Sequence, residues 1–306
     1  MRNKVLDEFI VNRLQRDDDM LFTKLIDLYR KYTSVMVEDY EGFVNSPNEF
    51  RGFLFDNIEL INKYYTRYTH DHLVNKLDNF IDSLSYNIDS KEQKTFANIV
   101  DKAISDKSIS HVLEVGPGYM PTSSIILGRD RHVTAMDKDY WISNECLKRL
   151  NVEGVRDYFT KSTSVMDYDM VVGRCPCSAI DTIVHLCSKN NKPYVIETCD
   201  CEMPTVEQFY RKWNIPSSTN EDKNIGWYGW MDMLPALDPN IASYGDMVYH
   251  VEDNDGLTRY LQARAEKLKA EKKENSKENI SCTTVVMNVS MADPRLADTS
   301  DEKEID

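Results

Sequence analysis

Apolar residues recur every three or four positions along the first 105 residues, the spacing of one buried helix face. Val5, Leu6, Phe9, Ile10 and Leu14 form one stripe. Leu21, Phe22, Leu25, Ile26, Tyr29 and Tyr32 form another, with Asp17 to Asp19 as its cap. Ser46-Pro47-Asn48-Glu49 reads as a start signal, with Ser at the N-cap, Pro in the first turn and Glu reaching back, and predicts a helix over 50–65. Leu73, Val74, Leu77, Phe80, Ile81 and Leu84 make a fourth stripe. Ser90 and Gln93 read as a capping box before Phe96, Ile99, Val100 and Ile104. No strand-like alternation interrupts them, so residues 1–105 are expected to form a five-helix bundle or cap.

The pattern then changes to short apolar runs divided by glycine and polar residues. Strands are expected at 112–115, 132–137, 155–159, 168–173, 194–198, 246–251 and 281–289. Helices are expected at 122–127, 142–150, 178–187, 206–213 and 257–273. Residues 214–243 are rich in Pro, Gly, Asn and aromatics and read as a loop, densest at Trp227-Tyr228-Gly229-Trp230-Met231, either a lid or loop packing. Strands alternating with helices predict an α/β fold: a Rossmann-like sheet over 106–292 with an N-terminal helical domain over 1–105. The acidic stretch 293–306 is expected to be a disordered tail.

Charge narrows the partners. The net charge is −14 over 306 residues, which repels a phosphate backbone on average, so no nucleic-acid partner is expected. No run approaches the roughly 20 apolar residues a membrane span needs. The N-terminus mixes acids into its apolar residues, unlike a signal peptide. A soluble, cytoplasmic protein without a membrane partner is the expectation. Oligomeric state stays open.

The chemistry concentrates in His111 to Asp139. Gly116 and Gly118 permit a sharp turn and close approach of a ligand to the backbone. The helix that follows would aim free N–H groups at that ligand. Asp137 closes the second strand about 20 residues after the turn, where a carboxylate can accept hydrogen bonds from two ribose hydroxyls. A dinucleotide site wants a third glycine where Pro121 stands. The order Glu114-x-Gly116-x-Gly118 with a closing acid resembles motif I of class I S-adenosylmethionine-dependent methyltransferases, over roughly residues 112–201. A βαβ unit holding no ligand, or a different nucleotide, is the plainer reading.

The resemblance implies S-adenosyl-L-methionine as cofactor. Glu114, Gly116, Gly118, Asp137, Lys138 and Gly173 would bind it, Asp139 would border the adenine, and Thr163 or Ser164 would face its amino group. The fourth strand ends in Arg174-Cys175-Pro176-Cys177 and lacks the Asn/Asp-Pro-Pro-Tyr/Phe of base-methylating relatives. The acceptor is therefore expected to be a small molecule. Asp200 and Glu202 are the expected catalytic acids or bases, with Glu197 a further choice facing away if mid-strand. Residues 116–127 also resemble nicotianamine synthases, which transfer the aminobutyrate arm of the same cofactor and release methylthioadenosine. A degenerate fold serving as a binding module is the non-enzymatic alternative.

Four of seven cysteines, Cys175, Cys177, Cys199 and Cys201, close two strands expected to be neighbours. Converging thiols suit zinc or an iron–sulfur cluster. C-x-C is less usual at such sites than C-x₂-C, so no metal is assigned and ordinary buried thiols are the first reading, a redox pair another. Tyr64, Tyr65 and Tyr68 with His70 and His72 could wall a pocket, or pack inward at a helix end. His185 reads as structural.

Overall fold

A computed structural model of the chain describes residues 4–14, 20–64, 68–104, 108–199, 201, 203–216 and 230–290. It divides into two compact units, Met1–Leu257 and Thr258–Asp306. The first holds both the helical region and the sheet. The second holds the body of one helix, α12 (Asn254–Ser290).

Among the described residues six helices precede the sheet where five were expected: α1 (Lys4–Leu14), α2 (Leu21–Met36), α3 (Tyr40–Asp56), α4 (Ile58–Tyr64), α5 (His70–Ile88) and α6 (Lys91–Ala103). The expected stripes lie largely on buried faces, including Leu25, Tyr29 and Tyr32 of α2 and Leu73, Leu77, Phe80 and Leu84 of α5, but Val5 and Phe22 are exposed. The start signal at Ser46 is overturned. The α3 helix begins six residues earlier, capped by Asp39, whose Oδ1 accepts from Gly42 N at 2.7 Å. Pro47 lies inside it. The missing Pro47 N–H would have bonded the Phe43 carbonyl, and Ser46 Oγ donates to that carbonyl instead, at 2.7 Å. Tyr29 Oη completes the arrangement 2.6 Å from Ser46 Oγ. A turn at Asn57 then separates α3 from α4.

The sheet has seven strands in the order β3-β2-β1-β4-β5-β7-β6: β1 (His111–Val115), β2 (His132–Asp137), β3 (Val152–Arg156), β4 (Met170–Arg174), β5 (Tyr194–Glu197), β6 (Ala242–Tyr244) and β7 (Met247–His250). The first five are parallel, and β7 runs antiparallel to both β5 and β6. Between them run α7 (Thr122–Leu127), α8 (Asn144–Arg149), α9 (Ile180–Lys189), α10 (Val206–Trp213) and α11 (Trp230–Met233). The protein is thus a mixed α/β fold. Central strands are buried on both faces, as parallel strands covered by helices must be. Val171, Ile183, Val184, Ile196 and Phe209 are among the core residues beside them. Full burial of such an aliphatic side chain stabilises by about 1.5–3 kcal/mol.

Two strand expectations are corrected. The third strand is 152–156, not 155–159, set by pairing Val133↔Val152 through Asp137↔Arg156. Residues 281–289 belong to α12, not to a strand. Its place is taken by β6, across the end of the expected loop: Gly245, at φ +58, makes the tight turn that folds Ala242–Tyr244 onto β7.

The helical region is clasped to the sheet at several points. Arg30 of α2 donates from Nε to Tyr140 O at 2.6 Å and pairs with Asp139 at 2.5 Å. Arg149 of α8 donates to the Val37 carbonyl and, at 2.5 Å, to Ser34 O. Arg131 pairs with Asp101 of α6 at 2.6 Å. Among the described residues, no helix is long and apolar enough to cross a membrane.

Candidate functional site

The chain builds outward from β1 through β2 to β3, then returns to start β4 beside β1. In open α/β sheets the usual ligand position is beyond the carboxyl ends of the strands at such a reversal, here those of β1 and β4. The glycine turn lies there. Gly116 (φ +69) and Gly118 (φ +82) both occupy the left-handed region. A Cβ on Gly116 would stand 3.1 Å from Pro176 Cα, so that glycine serves close packing. A Cβ on Gly118 would meet nothing within 4 Å, so the space over it is open. Gly173 resembles Gly116: Pro176 Cγ and Val115 O lie 3.0 Å from its missing Cβ.

Two carboxylates hold this turn. Asp137, at the end of β2, accepts from Gly118 N at 2.9 Å and from Lys138 N at 2.6 Å. A carboxylate offers about four acceptor positions, so two remain. Glu114 is fully buried. Ser123 Oγ donates to it at 2.5 Å, and Ser124 Oγ donates to its other oxygen. Burial raises the Glu114 pKa above the ordinary value, against the two serine hydroxyls and Arg174, which lower it. This side chain ties the first turn of α7 to β1, from beneath the loop.

Two of the N–H groups expected to be free at the start of α7 are engaged. Thr122 N donates to Met120 O at 2.8 Å, and Ser123 N donates to Gln93 Oε1 at 3.1 Å. Gln93 sits in the first turn of α6. Ser90 Oγ accepts from Gln93 N at 3.3 Å, but the Gln93 amide reaches across to α7 and does not fold back to close its own capping box. Sequence could flag Gln93 as a cap, not its second use.

Lys138 is exposed, and Asp139 is engaged by Arg30. Tyr119 stacks on Trp141, rings 5.1 Å apart and nearly parallel, walling the loop after Gly118. A cleft of about 670 Å³ lined by Asp27, Arg30, Ser143, Glu145 and Arg156 lies elsewhere, with neither glycine nor Asp137 in its wall. Thr163 and Ser164 serve their own turn, accepting from Thr160 N and Met166 N. Tyr65, like Trp227, Tyr228 and Gly229, lies outside the described residues. The Tyr68 and His72 rings meet at 6.2 Å. His185 stacks on Trp213 at 4.3 Å.

Asp200 and Glu202 also lie outside the described residues. Glu197 is the last residue of β5 and not mid-strand, paired across the sheet with Arg174. Its carboxylate lies 3.2 Å from Arg174 Nε. The guanidinium N–H is not aligned for a hydrogen bond, so the contact is an ion pair only. Burial raises the Glu197 pKa, while Arg174 lowers it. This pair, on adjacent strand ends, is visible only once β4 and β5 are neighbours.

The cysteines do not lie along strands. Cys175 and Cys177 follow the end of β4, and Cys199 and Cys201 follow the end of β5. Cys175 (φ +49) and Cys177 (φ +48) both take the left-handed conformation, at a cost of roughly 1–2 kcal/mol each for residues with a Cβ. Cys177, Cys199 and Cys201 converge, while Cys175 Sγ lies 4.0 Å from Thr198 O. Burial pushes the Cys175 thiol up to about 11 and Cys177 to about 12. Trp230 Nε1 donates to Cys199 O at 2.8 Å and fixes that turn from α11.

No family model matches the chain, and no curated protein matches it. Similar solved structures include a translation initiation factor eIF-2B from Pyrococcus horikoshii OT3, at 12% identity over 63% of this chain and 77% of that one, TM-score 0.24. A tetrameric eIF2B-beta2-delta2 complex from C. thermophilum is similar at 10% identity over 68% and 82%, TM-score 0.25. LaPhzM is similar at 16% identity over 65% and 60%, TM-score 0.27.

Proposed function

We propose that the protein is an S-adenosylmethionine-dependent methyltransferase acting on a small-molecule acceptor. The observation that carries this reading is the latch between Asp137 and Gly118, set at the sheet's switch point beside open space. Asp137 shapes the glycine turn with one oxygen and keeps acceptor positions for a ribose diol. Gly118 lets a ligand come against the backbone. Glu114 is a positioning residue that holds α7 and the turn together. The cofactor supplies an already activated methyl group, so the chain's part is alignment and exclusion of water. Tyr119 and Trp141 provide an apolar wall for that purpose. Glu197 is a described carboxylate at the strand ends that could orient or deprotonate an acceptor.

The test is calorimetric titration of wild type and Asp137→Ala with S-adenosylmethionine and S-adenosylhomocysteine, followed by an acceptor screen read by product. Wild type is expected to bind saturably, and the variant about 1–3 kcal/mol more weakly, as for loss of hydrogen bonds to a charged group. S-adenosylhomocysteine as product supports the reading. Methylthioadenosine would replace it with aminobutyrate transfer, and absence of binding by wild type would remove it.

A further inference from the structure

We propose that Cys177, Cys199 and Cys201 form a zinc(II) site with three protein ligands and an open fourth position. The sulfur of Cys177 lies 3.4 Å from that of Cys201 and 3.9 Å from that of Cys199, and the last two are 2.7 Å apart. In a tetrahedral site with Zn–S bonds of about 2.3 Å, sulfurs stand about 3.8 Å apart. Two of the three separations bracket that value. The third must open by about 1 Å, which the exposed position of Cys201 allows.

Ligand type selects the metal. Thiolates favour zinc over hard oxygen-seeking cations. An iron–sulfur cluster ordinarily takes four cysteines, and the fourth sulfur nearby, Cys175, is turned to the Thr198 carbonyl. A disulfide between Cys199 and Cys201 is the competing outcome and would leave Cys177 a free thiol. Three protein ligands with a vacant position is the pattern of zinc sites that accept water or a substrate atom.

The site sits beside the glycine turn. Pro176, between Cys175 and Cys177, is the residue that packs against Gly116 and Gly173. Metal binding would therefore stiffen the glycine turn at the carboxyl ends of β1 and β4.

The test uses the full chain, purified under reducing conditions, freed of metal with a chelator and reloaded. Elemental analysis is expected to find one zinc per chain, and cobalt(II) in its place is expected to give tetrahedral d–d bands with thiolate-to-cobalt charge transfer. A thiol-reactive dye should find three fewer reactive thiols with zinc than without, a measurement on wild type that needs no variant to fold. Cys177→Ser, Cys199→Ser and Cys201→Ser should each lose stoichiometric zinc, and Cys175→Ser should keep it. Reduced wild type that takes up no zinc, a Cys199–Cys201 disulfide in its place, or loss of zinc from Cys175→Ser would overturn the assignment.

Discussion

Glu114 links a residue's burial to a loop's shape. Its folded-state carboxyl holds its proton to higher pH than the same group in the unfolded chain, because burial outweighs the two serine donors. The native state then binds more protons than the unfolded state just above the ordinary value of 4.5. Stability from this group is fully present below that value and is lost as pH rises through the raised folded value. Glu114→Gln removes the titration. Urea midpoints measured from acid to neutral pH should show wild type declining relative to the variant across that window. A constant difference would mean that Glu114 titrates normally. Glu197, also raised, titrates in both proteins and cancels in the comparison.

At the scale of an element, α3 shows why Ser-Pro can stand inside a helix. The hydroxyl of Ser46 replaces the amide that Pro47 lacks, and it also accepts from Tyr29. Ser46→Ala strands a buried carbonyl and a buried phenol together, and is expected to cost about 2–3 kcal/mol in chemical denaturation. Adding Pro47→Ala restores an N–H for the Phe43 carbonyl. The double variant should recover about 1 kcal/mol of that loss, a coupling that a mutant cycle measures directly. Strict additivity would show that the hydroxyl does not substitute for the amide. In one dimension, Ser-Pro-Asn-Glu is indistinguishable from a helix start. What decides is whether Phe43, three positions before Ser46, is already helical.

At the scale of the whole molecule, the helical region and the sheet belong to one compact unit. All four tryptophans follow residue 140, so fluorescence reports the α/β part while helical circular dichroism weights the rest. Thermal or urea unfolding should give coincident transitions by the two probes. Arg30→Ala removes the contacts to Tyr140 O and Asp139. It should lower both transitions together, by about 1–2 kcal/mol, since one partner is half exposed. Separated transitions in wild type would mean two independent folding units.

Local pattern determined much of this. The glycine turn, α7 and β2 follow from runs whose period and punctuation leave little choice, as do α9, α10 and β5. Gly116, Gly118, Glu114 and Asp137 were legible because a backbone turn and a carboxylate at a strand end are properties of adjacent residues. Neighbourhood across the sheet was legible in part: β4 and β5 are the neighbours expected, and three of the four thiols beyond their ends meet. The Arg174–Glu197 pair and the Gln93 amide on α7 join residues far apart in sequence, and only strand order and helix placement bring them together. The same holds for residues 281–289, whose β-branched content favours a strand. Local propensity is weak there beside the pairing energy of a hairpin, and β6 takes the sheet edge because Gly245 folds it directly onto β7.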